Sequence, residues 1–371
     1  MNLIEKGNSD LMNLMYKKQT PSAFRVIAII STYNEEDIIV PVINHLFNQE
    51  IDVYLMDNWS TDRTIEFARQ FEPKILGIEH FPQHGPSPTF DWEEILKRKE
   101  VLSQELNADW FMHYDADEIR ESPWKDIKLR DAIYLVDQHG YNAIDFTLLN
   151  FFPIDNNFKP GSNLAQRLKY FQFNDLPGNE MQIKAWKKNT ERVNLWETGG
   201  HSVKFLNRKV FPYKFIMRHY PIRSQSHGEK KVITERILRY NTGEREKGWH
   251  TQYNDYLKST SFLKRPKELF RLEPDFYNYF LFDQMMEQER VAQSLNNRLV
   301  EIQEHLADNQ RQLKECNREI AEIKESKAWK MATFIRRIYR GMLKKIQIIV
   351  VLLMGSICVL LILNCTLVKH A

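Results

Sequence analysis

Cysteine is scarce in this 371-residue chain, with three in all, at Cys316, Cys358 and Cys365. None lies in the first 300 residues, so neither a disulfide framework nor a cysteine zinc site supports the part that folds. That distribution fits a reducing compartment. A strong charge bias is also lacking, since the formal net charge is only +3. A nucleic-acid partner is therefore not expected. The polar, charged start holds no long apolar run, so no signal peptide or N-terminal anchor is expected there. Glycine is missing from the turn after the first predicted strand, where a sugar nucleotidyltransferase would carry a phosphate-cradling loop.

What is present is a chain made to fold, with 43% hydrophobic and 27% charged residues. Residues 1–22 read as a leader. Short β-branched runs then alternate with helical patterns. Strands are expected at Phe24–Ile30, Ile51–Met56, Lys74–Ile78 and Trp110–Tyr114, with helices at Glu36–Asn48, Thr61–Phe71 and Glu93–Leu106. That alternation predicts an α/β fold: a parallel sheet with helices on both faces. Ligands of such sheets bind beyond the carboxyl ends of the strands. From 143 to 220 the runs at Ala143–Leu149, Arg167–Phe173, Gln182–Lys187 and His201–Phe211 are punctuated by Pro and Gly, predicting a mixed second half of the same sheet.

Beyond it the reading divides the chain into a catalytic domain at 23–225, a helical segment at 226–285, a coiled coil at 286–325, a basic amphipathic linker at 326–345 and a transmembrane helix at 346–368. The coiled coil rests on Ala292, Leu299, Leu306, Leu313 and Ile320, seven residues apart, with Leu295, Ile302, Asn309, Cys316 and Ile323 three places later. It predicts a homo-oligomer. The last segment has the length of a membrane span and follows Arg336, Arg337, Arg340, Lys344 and Lys345. It predicts a single-pass C-terminal anchor with the catalytic domain cytoplasmic.

Three polar clusters end successive strands: Ser31-Thr32-Tyr33-Asn34-Glu35-Glu36, Asp57-Asn58-Trp59-Ser60-Thr61-Asp62 and His113-Tyr114-Asp115-Ala116-Asp117-Glu118. Asp115 and Asp117 can share a divalent cation, or divide a ribose and a cation between them. A bound cation stabilises a departing nucleoside diphosphate. Asp57 ends a strand and can accept hydrogen bonds from a base or ribose, whereas Asp62 suits a helix cap. Glu197, in Trp196-Glu197-Thr198-Gly199-Gly200-His201, is the candidate acceptor base, and the Lys230-Lys231 pair reads as a solvated helix face.

In order and spacing these clusters resemble the family 2 glycosyltransferases of the GT-A fold, over about the first 120 residues. The resemblance implies a transferase that uses a nucleotide-sugar donor and a divalent metal, Mn²⁺ or Mg²⁺. The expected anchor suggests the acceptor, a glycan or lipid-linked precursor at the cytoplasmic membrane face in cell-surface polysaccharide synthesis. By position the resemblance puts Thr32 and Glu35 in the nucleoside pocket and Asp57 at the base, and Asn34 in the same cluster is a further candidate for substrate binding. Asp115 falls at the ribose and metal, and Asp117 at the metal under the diphosphate. It also makes His219 a metal ligand and Arg223 a diphosphate clamp. Asn58 and Glu118 depart from the commonest pattern, where Asp is frequent at both places. The competing readings are a non-catalytic membrane-tethered coiled-coil scaffold with a degenerate transferase domain, and a sugar nucleotidyltransferase.

Overall fold

A computed structural model describes residues 19–173, 181–239, 243 and 261–367. The leader therefore lies mostly outside the described residues, as does much of the helical segment expected at 226–285. The chain forms two compact units, Met1–Glu289 and Arg290–Ala371.

The first unit is built on strands β1 (Val26–Thr32), β2 (Asp52–Asp57), β3 (Gly77–His80) and β4 (Trp110–Asp115). They run parallel in the order β4-β1-β2-β3. Val26 to Ile30 is buried on both faces, as a central parallel strand requires. Helix α1 (Ile39–Asn48) covers the sheet through Ile39, Val42, Ile43 and Leu46, a 3–4 spacing that makes one apolar stripe. Pro41 sits in its first turn, where its missing N–H costs nothing. Burying each of those aliphatic side chains contributes roughly 1.5–3 kcal/mol. Helices α2 (Thr64–Arg69) and α3 (Trp92–Glu105) complete the alternation.

The sheet continues through strands that reverse its direction. These are β6 (Ala143–Phe152), β7 (Tyr170–Phe173), β8 (Ile183–Lys187) and a short β10 (Phe270–Arg271). The order is β10-β7-β6-β8-β4, all antiparallel. Two strands stand off this path: β5 (Glu118–Glu121) pairs antiparallel with β9 (Phe215–His219), and β9 runs parallel to β6. Helix α4 (Leu129–Gln138) lies between β5 and β6 in the chain. The mixed α/β architecture is the expected one. The strand expected over His201–Phe211 is absent: only isolated bridges form, at Ser202, Lys204 and Val210. Two left-handed glycines, Gly199 and Gly200, precede the run, and a left-handed residue at Asn207 breaks it.

After Tyr220 come a four-residue helix α5 (Gln225–Gly228), a π-helical turn Glu229–Arg236 and a 3₁₀ turn Ile237–Arg239. Two long helices, Phe276–Glu325 and Lys327–Leu367, end the chain. No helix among the described residues is long and apolar enough to cross a membrane. This corrects the expected C-terminal anchor, and with it the cytoplasmic membrane location. The apolar stretch whose side chains are described, Ile346–Ser356, is about half of the ~20 residues a helical span needs. The side chains from 357 onward lie outside the described residues.

Candidate active site

Register brings the three clusters together. Thr32 pairs with Asp57, Ser31 with Asp115, and Asp57 with His80, so four strand ends share one edge. Side chains tie the loops to one another. Ser31 Oγ donates to Asp115 Oδ1 at 3.2 Å. The Asn34 amide nitrogen donates to Ser60 Oγ at 3.0 Å, and Asn34 Oδ1 accepts from the Thr61 amide at 2.8 Å. The Glu35 amide donates to Thr64 Oγ1 at 2.8 Å. Asn34 takes a left-handed φ of 53°, a conformation that Asn tolerates better than most residues. Asp62 accepts from the Thr64 amide at 2.9 Å and so caps α2. Thr32 is buried, and its Oγ1 has no hydrogen-bond partner among the described residues.

Asp57 is fully buried and accepts from the Ser60 amide, Ser60 Oγ and His80 Nδ1, at 3.0, 2.5 and 3.0 Å. Burial pushes its carboxyl above the usual range, and the Ser60 and His80 bonds oppose that shift. Trp59 stacks on His80 with ring centroids 4.8 Å apart. Beside this wall, a cleft of about 410 Å³ opens between Asn58, Phe81, His84, Asp91 and Arg98.

Asp117 meets His219 because β5 pairs with β9, with Glu118 opposite His219, and because the Tyr220 amide donates to the Asp117 carbonyl at 2.8 Å. His219 Nε2 lies 3.6 Å from Asp117 Oδ1. Its Nδ1 is held 2.8 Å from Asn150 Oδ1, which fixes the ring. Lys231 Nζ stands 2.8 Å from Asp117 Oδ2 and 2.6 Å from Glu35 Oε1. Burial opposes charge on Asp117, but Lys231 and His219 hold its carboxyl well below the usual range. Burial likewise opposes charge on Lys231, and Asp117 and Glu35 raise its ammonium above the usual lysine range. This corrects the solvated-face reading of Lys231, which is buried; Lys230 fits that reading.

Asp115 faces a different set of groups. Lys184 Nζ lies 3.5 Å from its Oδ2 and His113 Nε2 lies 3.8 Å away. Burial raises its carboxyl, and His113, Lys184 and Lys99 more than reverse that. Lys99 is wholly buried and donates to Ser31 Oγ and the Tyr114 carbonyl at 3.0 and 2.8 Å; His113 Nδ1 is also 2.8 Å away. Burial brings its amine down to about 7, against the pull of Asp115. Glu118 is buried and pairs with Lys184 at 2.7 Å and with Arg120, so Lys184 links it to Asp115.

A metal fits part of this arrangement. Asp117 Oδ1 and His219 Nε2 are near enough to share one cation, and Mg²⁺ or Mn²⁺ sites of this kind take remaining ligands from phosphate and water. Asp115 does not join them. Among the described residues the one group of three ligand side chains within reach of each other is Glu35, Asp37 and His227. Arg223 already occupies that group: its guanidinium bonds Glu35 and Asp37, the latter at 2.7 Å, and reaches His227 Nε2 at 2.7 Å. It is completely buried there, so it faces two carboxylates rather than an open phosphate site.

Glu197 stands apart. It is half-exposed and pairs with Lys204 at 3.1 Å. Its loop does reach the site. The Trp92 indole donates to the Gly199 carbonyl at 2.8 Å, and a Cβ on Gly200 would lie 2.8 Å from His113 Nε2.

The family model "Glycosyl transferase family 2" matches residues 27–87, which run from β1 through the loop after β3. Structures similar to the chain include S. aureus TarS, at 16% identity over 53% of this chain and 37% of that one, with a TM-score of 0.32. TarS 1–349 in complex with UDP is similar at 15% identity over 53% of this chain and 60% of that one, with a TM-score of 0.33. A UDP-glucose pyrophosphorylase complexed with UDP-glucose is similar at 9% identity over 48% of this chain and 73% of that one, with a TM-score of 0.21. The chain thus spans less than two thirds of the TarS structures, and likeness at these TM-scores carries no functional weight. No curated protein matches.

Proposed function

We propose that the chain is a glycosyltransferase that takes a sugar from a nucleoside diphosphate donor, with a divalent cation, and passes it to a glycan acceptor. The observation that carries this reading is the meeting of the strand-end clusters at one sheet edge, with Asp117 beside an oriented His219. In it, Thr32, Asn34 and Glu35 border the nucleoside, the Trp59–His80 wall flanks the base, and Asp115, hydrogen-bonded by Ser31, receives the ribose. Asp117 and His219 would hold the Mn²⁺ or Mg²⁺. When bound, that cation neutralises the diphosphate as the sugar–phosphate bond breaks. Arg223 is given no diphosphate contact in this reading, because its guanidinium is completely buried against Glu35 and Asp37, and Glu197 is given no role as base, because it is half-exposed and paired with Lys204. The heptad face from Ala292 to Ile323 pairs with the same face of a second copy.

A thermal-shift screen of UDP, GDP and CDP, each with and without MnCl₂, tests the donor reading on the full chain. At ligand a hundredfold above its Kd, binding adds about 2.7 kcal/mol and raises the midpoint by several degrees. At least one nucleotide should do so only when the metal is present. If no metal–nucleotide pair stabilises the protein, the reading is wrong.

A further inference from the structure

Lys231 lies outside all three strand-end clusters, on the π-helical turn Glu229–Arg236. It nevertheless reaches the centre of the site. Its ammonium is buried between Glu35 Oε1 at 2.6 Å and Asp117 Oδ2 at 2.8 Å, carboxylates from the first and third clusters. The second oxygen of Glu35 is taken by Arg223. The second oxygen of Asp117 faces His219. Asp117 is therefore shared between an ammonium of this chain and the imidazole proposed as its partner in holding a metal.

The same stretch is fastened at its other end. Asn34 Nδ2 donates to Glu235 Oε1 at 2.8 Å. Arg239 donates to Asn58 Oδ1 at 2.9 Å, and its guanidinium lies 4.1 Å over the Tyr33 ring. The Phe90 amide donates to the Arg239 carbonyl at 2.7 Å. Glu229–Arg239 is thus a strap that touches all three cluster loops. A buried carboxylate without a counter-charge is costly, and Lys231 removes that cost for Asp117 and Glu35 together. A divalent cation on Asp117 would stand within a few ångströms of this ammonium, where like charges repel strongly.

We infer that Lys231 is the resident counter-cation of Asp117, held in place by the strap Glu229–Arg239, and that a divalent cation gains Asp117 only by displacing it. The inference rests on the metal reading of Asp117. It adds that the chain sets its own threshold for metal binding.

Calorimetric titration of MnCl₂ alone into the full chain, without nucleotide, reads this directly. Lys231→Met should bind Mn²⁺ about tenfold more tightly than the wild type, because a repelling charge is gone. Lys231→Arg, which keeps the charge, should bind as the wild type does. Glu235→Ala keeps Lys231 but removes the Asn34 bond that helps the strap hold it on Asp117, so it serves if Lys231→Met does not fold. It should tighten Mn²⁺ binding in the same direction by about twofold to threefold. If the wild type binds Mn²⁺ and neither Lys231→Met nor Glu235→Ala binds it more tightly, Lys231 does not compete and the inference fails alone. If no variant and no wild type binds Mn²⁺, the metal reading fails and takes the inference with it.

Discussion

From Phe24 to Tyr220 buried side chains recur with the periods of strands and helices, and they merge into two large clusters on either side of the sheet. From Arg290 onward no described side chain is buried, although Leu295, Ile302, Leu306 and Leu313 are each more than half exposed on a regular helix. Both regions are patterned, but only the first contains the surface that answers its pattern. A heptad face of this kind is a demand for another helix, since a lone amphipathic helix gains little from its own propensity.

Three predictions sharpen that contrast, beginning with the compact unit. Arg223→Met leaves Glu35 and Asp37 facing each other without their shared guanidinium. Breaking a buried ion pair in this way costs about 3–5 kcal/mol, which denaturant unfolding should register. The same guanidinium, working against burial, lowers the Asp37 carboxyl to about 2 from 3.8. A depressed carboxyl contributes stability above its unfolded value and loses it as pH falls through the folded one. The wild type should therefore keep this contribution at pH 4 and lose it between about 4 and 2, while the variant shows no such step.

A smaller effect is expected in the helical unit. Leu306→Asp places a charge in the heptad face and should lower the sedimenting mass of the full chain. Its midpoint of unfolding for the sheet unit should stay within about 1 °C, because an exposed substitution typically changes stability by less than 0.5 kcal/mol. An unchanged sedimenting mass would remove the pairing of copies from the account.

Much of the fold was legible in the sequence because β-branched runs closed by polar turns leave few alternatives. Strands β1, β2 and β4 were each expected within two residues of their ends. The His201–Phe211 run misled, because its apolar alternation conceals the left-handed Asn207, which no period detects. The strand Glu118–Glu121 went unread for another reason. Its charged side chains are buried in ion pairs with Lys184 and Arg218, partners 66 and 97 residues away, which local pattern cannot supply. Lys99 carried a readable signal: it occupies the buried stripe of α3 with Ile95, Leu96 and Leu102, where a lysine needs a special partner. Lys231 gave none, since its neighbours Lys230, Thr234 and Glu235 look like any exposed turn. The expected membrane span is overturned because no helix among the described residues is long and apolar enough to cross a membrane.

Asp117 is where these threads converge, and one titration tests it most directly. The nucleotide that most stabilises the chain in the thermal-shift screen is titrated by calorimetry into the full chain at saturating MnCl₂, for the wild type and for Asp117→Asn. The account predicts binding to the wild type and an affinity about a hundredfold lower in the variant, the scale of losing a metal-orienting group. Equal affinity in the two proteins would mean that Asp117 holds no metal under the diphosphate, and would contradict the proposed site.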